Sequence, residues 1–299
     1  MAVTRFRRQA QEERADRAHL AGVASAEAAV VGATEQPSES KAAPGTAAFF
    51  DLDNTMMRGA SIYWFARGLA SRDYFTTRDL LKFAWQQLKF RLMSEDHIDI
   101  AAAKQSALAF VAGRPVSEIV ELSEAIYDEL MAERIWSGTR ALASLHMRAG
   151  AQVWLVTAAP VELGNLIARR LGLTGALGTV AEIRDGRYTG RLVGDILHGQ
   201  AKAEAIRALA EREGLDLSRC SAYSDSYNDL PMLTTVGHAV AVNPDSALRR
   251  EARARGWEIQ DFRTGRKAVK IALPCLVGAG LVTGAVAVGI AARRQAKSR

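Results

Sequence analysis

Residues 49–55 read Phe49-Phe50-Asp51-Leu52-Asp53-Asn54-Thr55, a run of strand formers that breaks into two carboxylates two positions apart and then a hydroxyl. A buried strand ending this way sets its acids at the carboxyl edge of an open α/β sheet, where such sheets bind ligands. Two carboxylates held that close together, out of water, are costly unless a cation or a shared proton compensates. The stretch therefore points to metal-assisted or acid/base chemistry at a sheet edge. A calcium loop is excluded, because it needs Gly at its sixth position and Glu at its twelfth. Counted from Asp51, those positions hold Met56 and Ile62. A solvated Asp-rich turn is the plain alternative for the motif alone, so partners elsewhere must decide.

Strand-like and helix-like segments alternate from 47 to 262. The spacing predicts strands at Ala47–Asp53, Gln152–Thr157, Arg219–Ser224, Ala239–Val242 and Trp257–Asp261. Helices are predicted from Pro160 to about Leu171, at Lys202–Glu213, at Asp229–Thr235 and at Asp245–Arg255, and a hairpin is predicted over 179–193 around Asp185-Gly186. This order implies a Rossmann-like, doubly wound, mostly parallel sheet with helices on both faces. The helical region 60–147 is too long for one crossover and reads as an inserted helical-bundle cap. Within it Leu81, Trp85, Leu88 and Leu92 share one face, and so do Ile119, Leu122, Ile126 and Leu130. The core is thus assigned to 47–59 and 148–262. Residues 1–46 are expected to be mostly disordered, with a transient helix near 10–33 and a polar linker at 34–46.

Three further features fall in order along this frame. Thr157 ends the second strand just before a helix, where a hydroxyl and exposed amides suit a phosphate oxygen. Lys202 opens a helix and offers a fixed cation. Ser224-Asp225-Ser226-Tyr227-Asn228-Asp229 follows a strand, and its two acids suit an oxygen-ligated Mg²⁺. Each has a bland reading: a strand-end threonine, a surface lysine, a polar turn. Together they occupy strand ends and helix starts of one sheet.

In this ordered set the chain resembles the haloacid dehalogenase superfamily of phosphohydrolases, in its phosphoserine-phosphatase-like branch, over about 47–262. The resemblance implies that Asp51 attacks phosphorus and becomes an aspartyl-phosphate, while Asp53 serves as general acid and then base. It implies Mg²⁺ between Asp51, the main-chain carbonyl of Asp53, and Asp225, with Asp229 supporting the metal's water shell or Lys202. Thr157 and Lys202 would bind the phosphoryl oxygens, and the hairpin and cap would close over the site. Two positions depart from the pattern. Ser224 stands where Gly is usual, and Ala60 stands where phosphoserine phosphatases of this branch carry the Glu that reads the substrate's amino group, which speaks against phosphoserine. His198 reads as a loop histidine, with substrate contact as its alternative.

Charge and hydropathy complete the reading. The net charge is +6, yet residues 262–299 carry eight basic and no acidic side chains, and residues 1–46 carry six of each. The body between them is mildly acidic, so no nucleic-acid partner is expected. Residues 271–292 hold no charge, flanked by Lys270 and Arg293. That length suits a transmembrane helix, with the catalytic domain cytoplasmic. Cys220 and Cys275 suggest neither a disulfide framework nor a metal site. The expected function is a Mg²⁺-dependent phosphatase acting on a phosphorylated small molecule or lipid head group. The alternatives are a phosphotransferase using the same intermediate and a non-catalytic membrane scaffold on the same fold.

Overall fold

All five residues of Ala47–Asp51 (β1) are buried, as a strand that is apolar on both sides must be when helices cover both faces of its sheet. The computed structural model describes residues 2–32, 45–72, 74, 108 and 111–263. Around β1 lie Gln152–Pro160 (β2), Gly175–Thr179 (β3), Ser221–Ser224 (β6), His238–Val242 (β7) and Glu258–Gln260 (β8). They pair in parallel in the order β3-β2-β1-β6-β7-β8. The chain builds outward from β1 to one side through β2 and β3, then crosses to the other side at β6. That reversal creates a switch point between β1 and β6, the crevice where doubly wound sheets take their ligands.

Alternation along the strands divides the core. Phe50, Val153 and Leu155 face one apolar cluster, and Phe49, Trp154 and Val156 face the other. The first cluster continues without a break into the inserted segment. Phe65 and Leu69 of Ser61–Ala70 (α2) and Ile119, Leu122 and Ile126 of Val116–Ile126 (α3) join it, with Leu130 packed alongside. The second predicted stripe is therefore core. The first, at 81–92, lies outside the described residues. Ser137–Arg148 (α4) packs on β1 and β2, and Val161–Leu171 (α5) adds Leu163, Leu166 and Ile167 to the same cluster. Gln200–Glu213 (α6) and Ser246–Arg255 (α8) cover the opposite face. Between them lies the short Leu230–Leu233 (α7).

The hairpin forms as its sequence requires. Ala181–Arg184 (β4) and Arg187–Leu192 (β5) pair antiparallel, and Asp185 (φ 50°) and Gly186 (φ 73°) both take the left-handed conformation of a two-residue turn. Backbone bonds then sew this hairpin to the segment entering α3. Gly113 N donates to Tyr188 O (2.7 Å), Tyr188 N to Arg114 O (3.0 Å) and Val116 N to Gly186 O (3.0 Å).

Two expectations need correction. Strand β3 was not foreseen, because Gly175 and Gly178 give it little strand propensity. Packing decides instead: a Cβ on Gly175 would lie 2.6 Å from the Trp154 ring, and one on Gly178 would lie 2.6 Å from the Val161 backbone. Only glycine fits, so tertiary contact overrides local preference. Residues Ala2–Gly32 form one helix (α1) rather than a disordered arm. Small side chains explain both the weak sequence signal and the docking. Ala21, Ser25, Ala26 and Ala29 are buried, Gly22 lies against Glu204 of α6, and the Ser25 hydroxyl accepts from Gly178 N of edge strand β3 (2.9 Å). The linker at 33–44 and the apolar run 271–292 lie outside the described residues, and among the described residues no helix is long and apolar enough to cross a membrane.

Close packing of α1 has a consequence of opposite sign to helix propensity. A Cβ at Gly22 would stand 2.6 Å from Glu204 Cβ and 2.7 Å from Ala205 N. Gly22→Ala should lower thermal stability by about 1–3 kcal/mol through overpacking. In an undocked helix the same change would stabilise by about 1 kcal/mol. Calorimetric unfolding of the two proteins reads the sign, and a raised Tm for the alanine variant would contradict the docking.

Candidate active site

Strand register brings the predicted residues to one edge. Asp51 ends β1 opposite Val156 of β2, so Thr157 lies one residue beyond it on the neighbouring strand. On the other side Phe50 pairs with Tyr223, which sets Ser224 beside Asp51 and Asp225 just past the sheet edge. Helix α6 begins at Gln200 after Gly199 (φ 54°). Lys202 therefore occupies the first turn, and side chains of a helix lean toward its N-terminus, here toward the strand ends.

The centre of the site is the Lys202 ammonium. Its Nζ donates to Asp51 Oδ1 (2.6 Å) and to Asp229 Oδ2 (2.8 Å), and all three side chains are buried. Asp229 Oδ2 also accepts from Ser224 Oγ (2.7 Å), so the serine in the usual glycine position braces the acid that holds the lysine. Asp225 is tied down by Thr55, whose Oγ1 donates to its Oδ1 (3.4 Å). Asp245 N donates to the Asp225 carbonyl (2.8 Å). Asp53 Oδ1 accepts from Ser61 N (2.8 Å), the first amide of α2, which binds the second acid of the motif to the start of the cap. The turn between them needs a left-handed residue, Asn54 (φ 58°), and Asn243 Nδ2 donates to its carbonyl (3.3 Å). Thr157 is buried, and its Oγ1 accepts from Ala159 N (3.1 Å).

Four acids share this one ammonium. Burial pushes the Asp51 carboxyl well above its usual range; Lys202 pulls it back in part, and Asp229, Asp225 and Asp53 push it up again. Burial also raises Asp53, against the opposing Ser61 amide. Asp225 is pushed up to about 7, first by burial and then by Asp229. Burial pushes Lys202 down, but Asp51 and Asp229 outweigh it and hold the amine charged. The excess of negative charge is what an added cation would relieve. Among the described residues no three His, Cys, Asp or Glu side chains converge as a site built of side chains alone would. The donors expected from the family resemblance are Asp51, Asp225 and the Asp53 carbonyl, and the strand register sets the two carboxylates at one edge. Such a set suits Mg²⁺, which keeps several waters of its own.

A cavity of about 760 Å³ adjoins Asp53 and runs between the sheet edge and the inserted segment, with Ile62, Phe65, Ile119, Leu163 and His198 among its walls. His198 thus reaches the cavity; burial and then Lys202 lower its pKa. Sequence reasoning did not single out Ser61 or Asn243, and it gave Ser224 no role. A hydroxyl directly before Asp225 was the one readable sign. The others act through backbone geometry or long-range packing and carry no local pattern.

Comparison with known proteins agrees with this geometry. A family model described as haloacid dehalogenase-like hydrolase matches residues 48–234. The chain is 59% identical over 252 residues (84% of it, 82% of the relative) to phosphoserine phosphatase SerB1 of Mycobacterium tuberculosis. It is 30% identical over 224 residues (72% of it, 98% of the relative) to the histidinol-phosphatase of Neisseria meningitidis. Among solved structures, a Bordetella pertussis protein of unknown function superposes with a TM-score of 0.65 at 29% identity, covering 73% of this chain and 99% of the other. The chain belongs to the haloacid dehalogenase-like hydrolases and is a phosphoric monoester hydrolase.

Proposed function

We propose that the protein hydrolyses a small phosphate monoester through a phosphoryl group carried on Asp51. The observation that carries this reading is the buried ammonium of Lys202 set between Asp51 and Asp229 at the switch point of the sheet. Lys202 fixes the Asp51 carboxylate by one oxygen and brings positive charge to where an anionic phosphoryl group must arrive. Asp51 then attacks phosphorus and the ester oxygen departs. Asp53, whose carboxyl is raised by burial, gives that oxygen its proton and afterwards takes one from the water that releases phosphate. Thr157 keeps its hydroxyl proton for a phosphoryl oxygen, since its oxygen already accepts from Ala159 N. Asp51, Asp225 and the Asp53 carbonyl would hold Mg²⁺, which when bound offsets the repulsion between carboxylate and phosphate.

The substrate reading draws on two relatives. Their names specify phosphoserine and histidinol phosphate, and we take a phosphorylated amino alcohol or amino acid as the class. Ala60 leaves the α2 side of the site without a carboxylate for an amino group, so phosphoserine belongs in the panel as one member among several. The uncharged run 271–292 is proposed as a membrane anchor with the catalytic domain on the cytoplasmic side. The anchor rests on the length of the run and its lack of charge; basic residues flank both ends, so the cytoplasmic side is taken from the chemistry and not from the charge.

Turnover of p-nitrophenyl phosphate and of an alkyl phosphate should require Mg²⁺, stop on chelation and return on re-addition. Asp51→Asn should lower kcat for both by at least about a thousandfold. Asp53→Asn should lower kcat/KM by about 10²–10⁴-fold for the alkyl ester and by much less for the nitrophenyl ester, whose leaving group needs no proton. Full activity in Asp51→Asn, or without a divalent cation, would defeat the mechanism. For the anchor, the full-length chain should stay with membranes through high-salt washing and leave only with detergent; release by salt alone would refute it.

A further inference from the structure

The cavity beside Asp53 holds two polar atoms that the reaction does not use. Glu162 Oε2 and Tyr188 Oη are both buried, both belong to residues that line the cavity, and neither has a hydrogen-bond partner among the described residues. Tyr188 is 3% exposed. Glu162 and Tyr188 face each other as an acid–phenol pair that falls short of a well-formed hydrogen bond, and because buried polar atoms are nearly always paired, the pair has capacity for a further partner.

The pair is built from two separate elements. Glu162 stands in the first turn of α5, five residues beyond Thr157, so the helix that starts at the phosphate edge also carries this acid. Tyr188 comes from β5 of the hairpin, and its own N–H and carbonyl are the atoms sewn to Arg114 and Gly113. The two side chains lie within hydrogen-bonding reach, with the phenol directed to the carboxylate. Burial and then Glu162 hold the Tyr188 phenol well above its usual range. Burial raises Glu162, partly offset by its own amide and by Tyr188. Most of the remaining wall is apolar, with Ile62, Phe65, Ile119 and Leu163. Asp195, another acid on the wall, already accepts from Ile196 N (2.8 Å). Arg14 and Arg17 also border the cavity, but both are exposed on α1. Glu162 keeps a buried oxygen that lacks a well-formed bond, in mostly apolar surroundings where a cationic partner is favoured over water.

We infer that Glu162 and Tyr188 determine specificity by accepting an ammonium group carried on the alcohol half of the phosphate ester. Glu162 supplies the charge and Tyr188 a second acceptor, while the phosphate sits at Asp51 and Lys202. The inference rests on the phosphatase reading above and extends it by assigning the residues that read the leaving group. It also supplies, from α5, a carboxylate that position 60 lacks. A site built to pair a buried charge discriminates strongly against a ligand without one, because both partners are then left unpaired.

The test uses the full-length protein with Mg²⁺ and a short series of ω-aminoalkyl phosphates, each matched with its N-acetyl derivative. The two members of a pair share the phosphate and carbon chain and differ in the cation. The readout is the ratio of kcat/KM within a pair, which is independent of how much of a variant is folded. The wild type should favour the amine by at least about tenfold at the best chain length. Glu162→Gln should bring that ratio close to one, and Tyr188→Phe should reduce it by about two- to threefold. Turnover without amine preference at any chain length, or a ratio unchanged in Glu162→Gln, overturns this inference alone. Absence of turnover for every ester overturns the phosphatase reading and this inference with it.

Discussion

One buried ammonium holds the site together. Lys202 reaches from the start of α6 to the end of β1 and to the loop after β6, and its two bonds at 2.6 and 2.8 Å join acids that lie 178 residues apart in the chain. Without it, Asp51 and Asp229 would be carboxylates facing each other with little water, a loss of about 3–5 kcal/mol for a broken buried pair. Ser224 donates to the same Asp229 oxygen, and Thr55 donates to Oδ1 of the neighbouring Asp225. The same lysine neutralises only part of the charge, which leaves a site that is stable yet receptive to a metal ion and to chemistry on a phosphate.

Topology sets that local arrangement beside a cavity. The switch point between β1 and β6 opens a crevice, and the described parts of the inserted segment wall it. That wall is tied to the core. Hairpin β4–β5 and the entry to α3 share three backbone bonds, and α2 and α3 belong to the same apolar cluster as β1 and β2. Asp53 is bonded to the first amide of α2, so the acid proposed to protonate the leaving group is coupled to the wall beside it. An N-terminal helix of small residues completes the opposite face and gives edge strand β3 a partner for one of its amides.

Much of this was legible in the sequence. The acids of β1, Thr157, Lys202 and the pair Asp225 and Asp229 could be read because each sits at a boundary where apolar alternation stops, and such boundaries in a parallel sheet converge on one edge. The hairpin was legible from Asp185-Gly186, since few other dipeptides accept two left-handed residues. What escaped reading depends on close approach rather than on pattern. Strand β3 carries glycines because Trp154 and Val161 leave no room for a Cβ, which erases its strand pattern, and α1 docks through Ala21, Ala26 and Ala29, whose contribution no hydropathy pattern announces. Glu162 and Tyr188 meet only after a helix and a hairpin from different parts of the chain have packed around one cavity.

The most direct test of the central claim is the stability of Lys202→Met against wild type, measured by chemical denaturation across pH without divalent cation. Carboxyls whose folded pKa lies above the unfolded value lose stability as pH rises, and removing the lysine takes away the one charge that pulls Asp51 back down. The variant should therefore be about 3–5 kcal/mol less stable near neutral pH. The deficit should shrink as pH falls toward about 4, where the carboxyls protonate. Equal stability at neutral pH, or a deficit that does not change with pH, would contradict the role given to this ammonium.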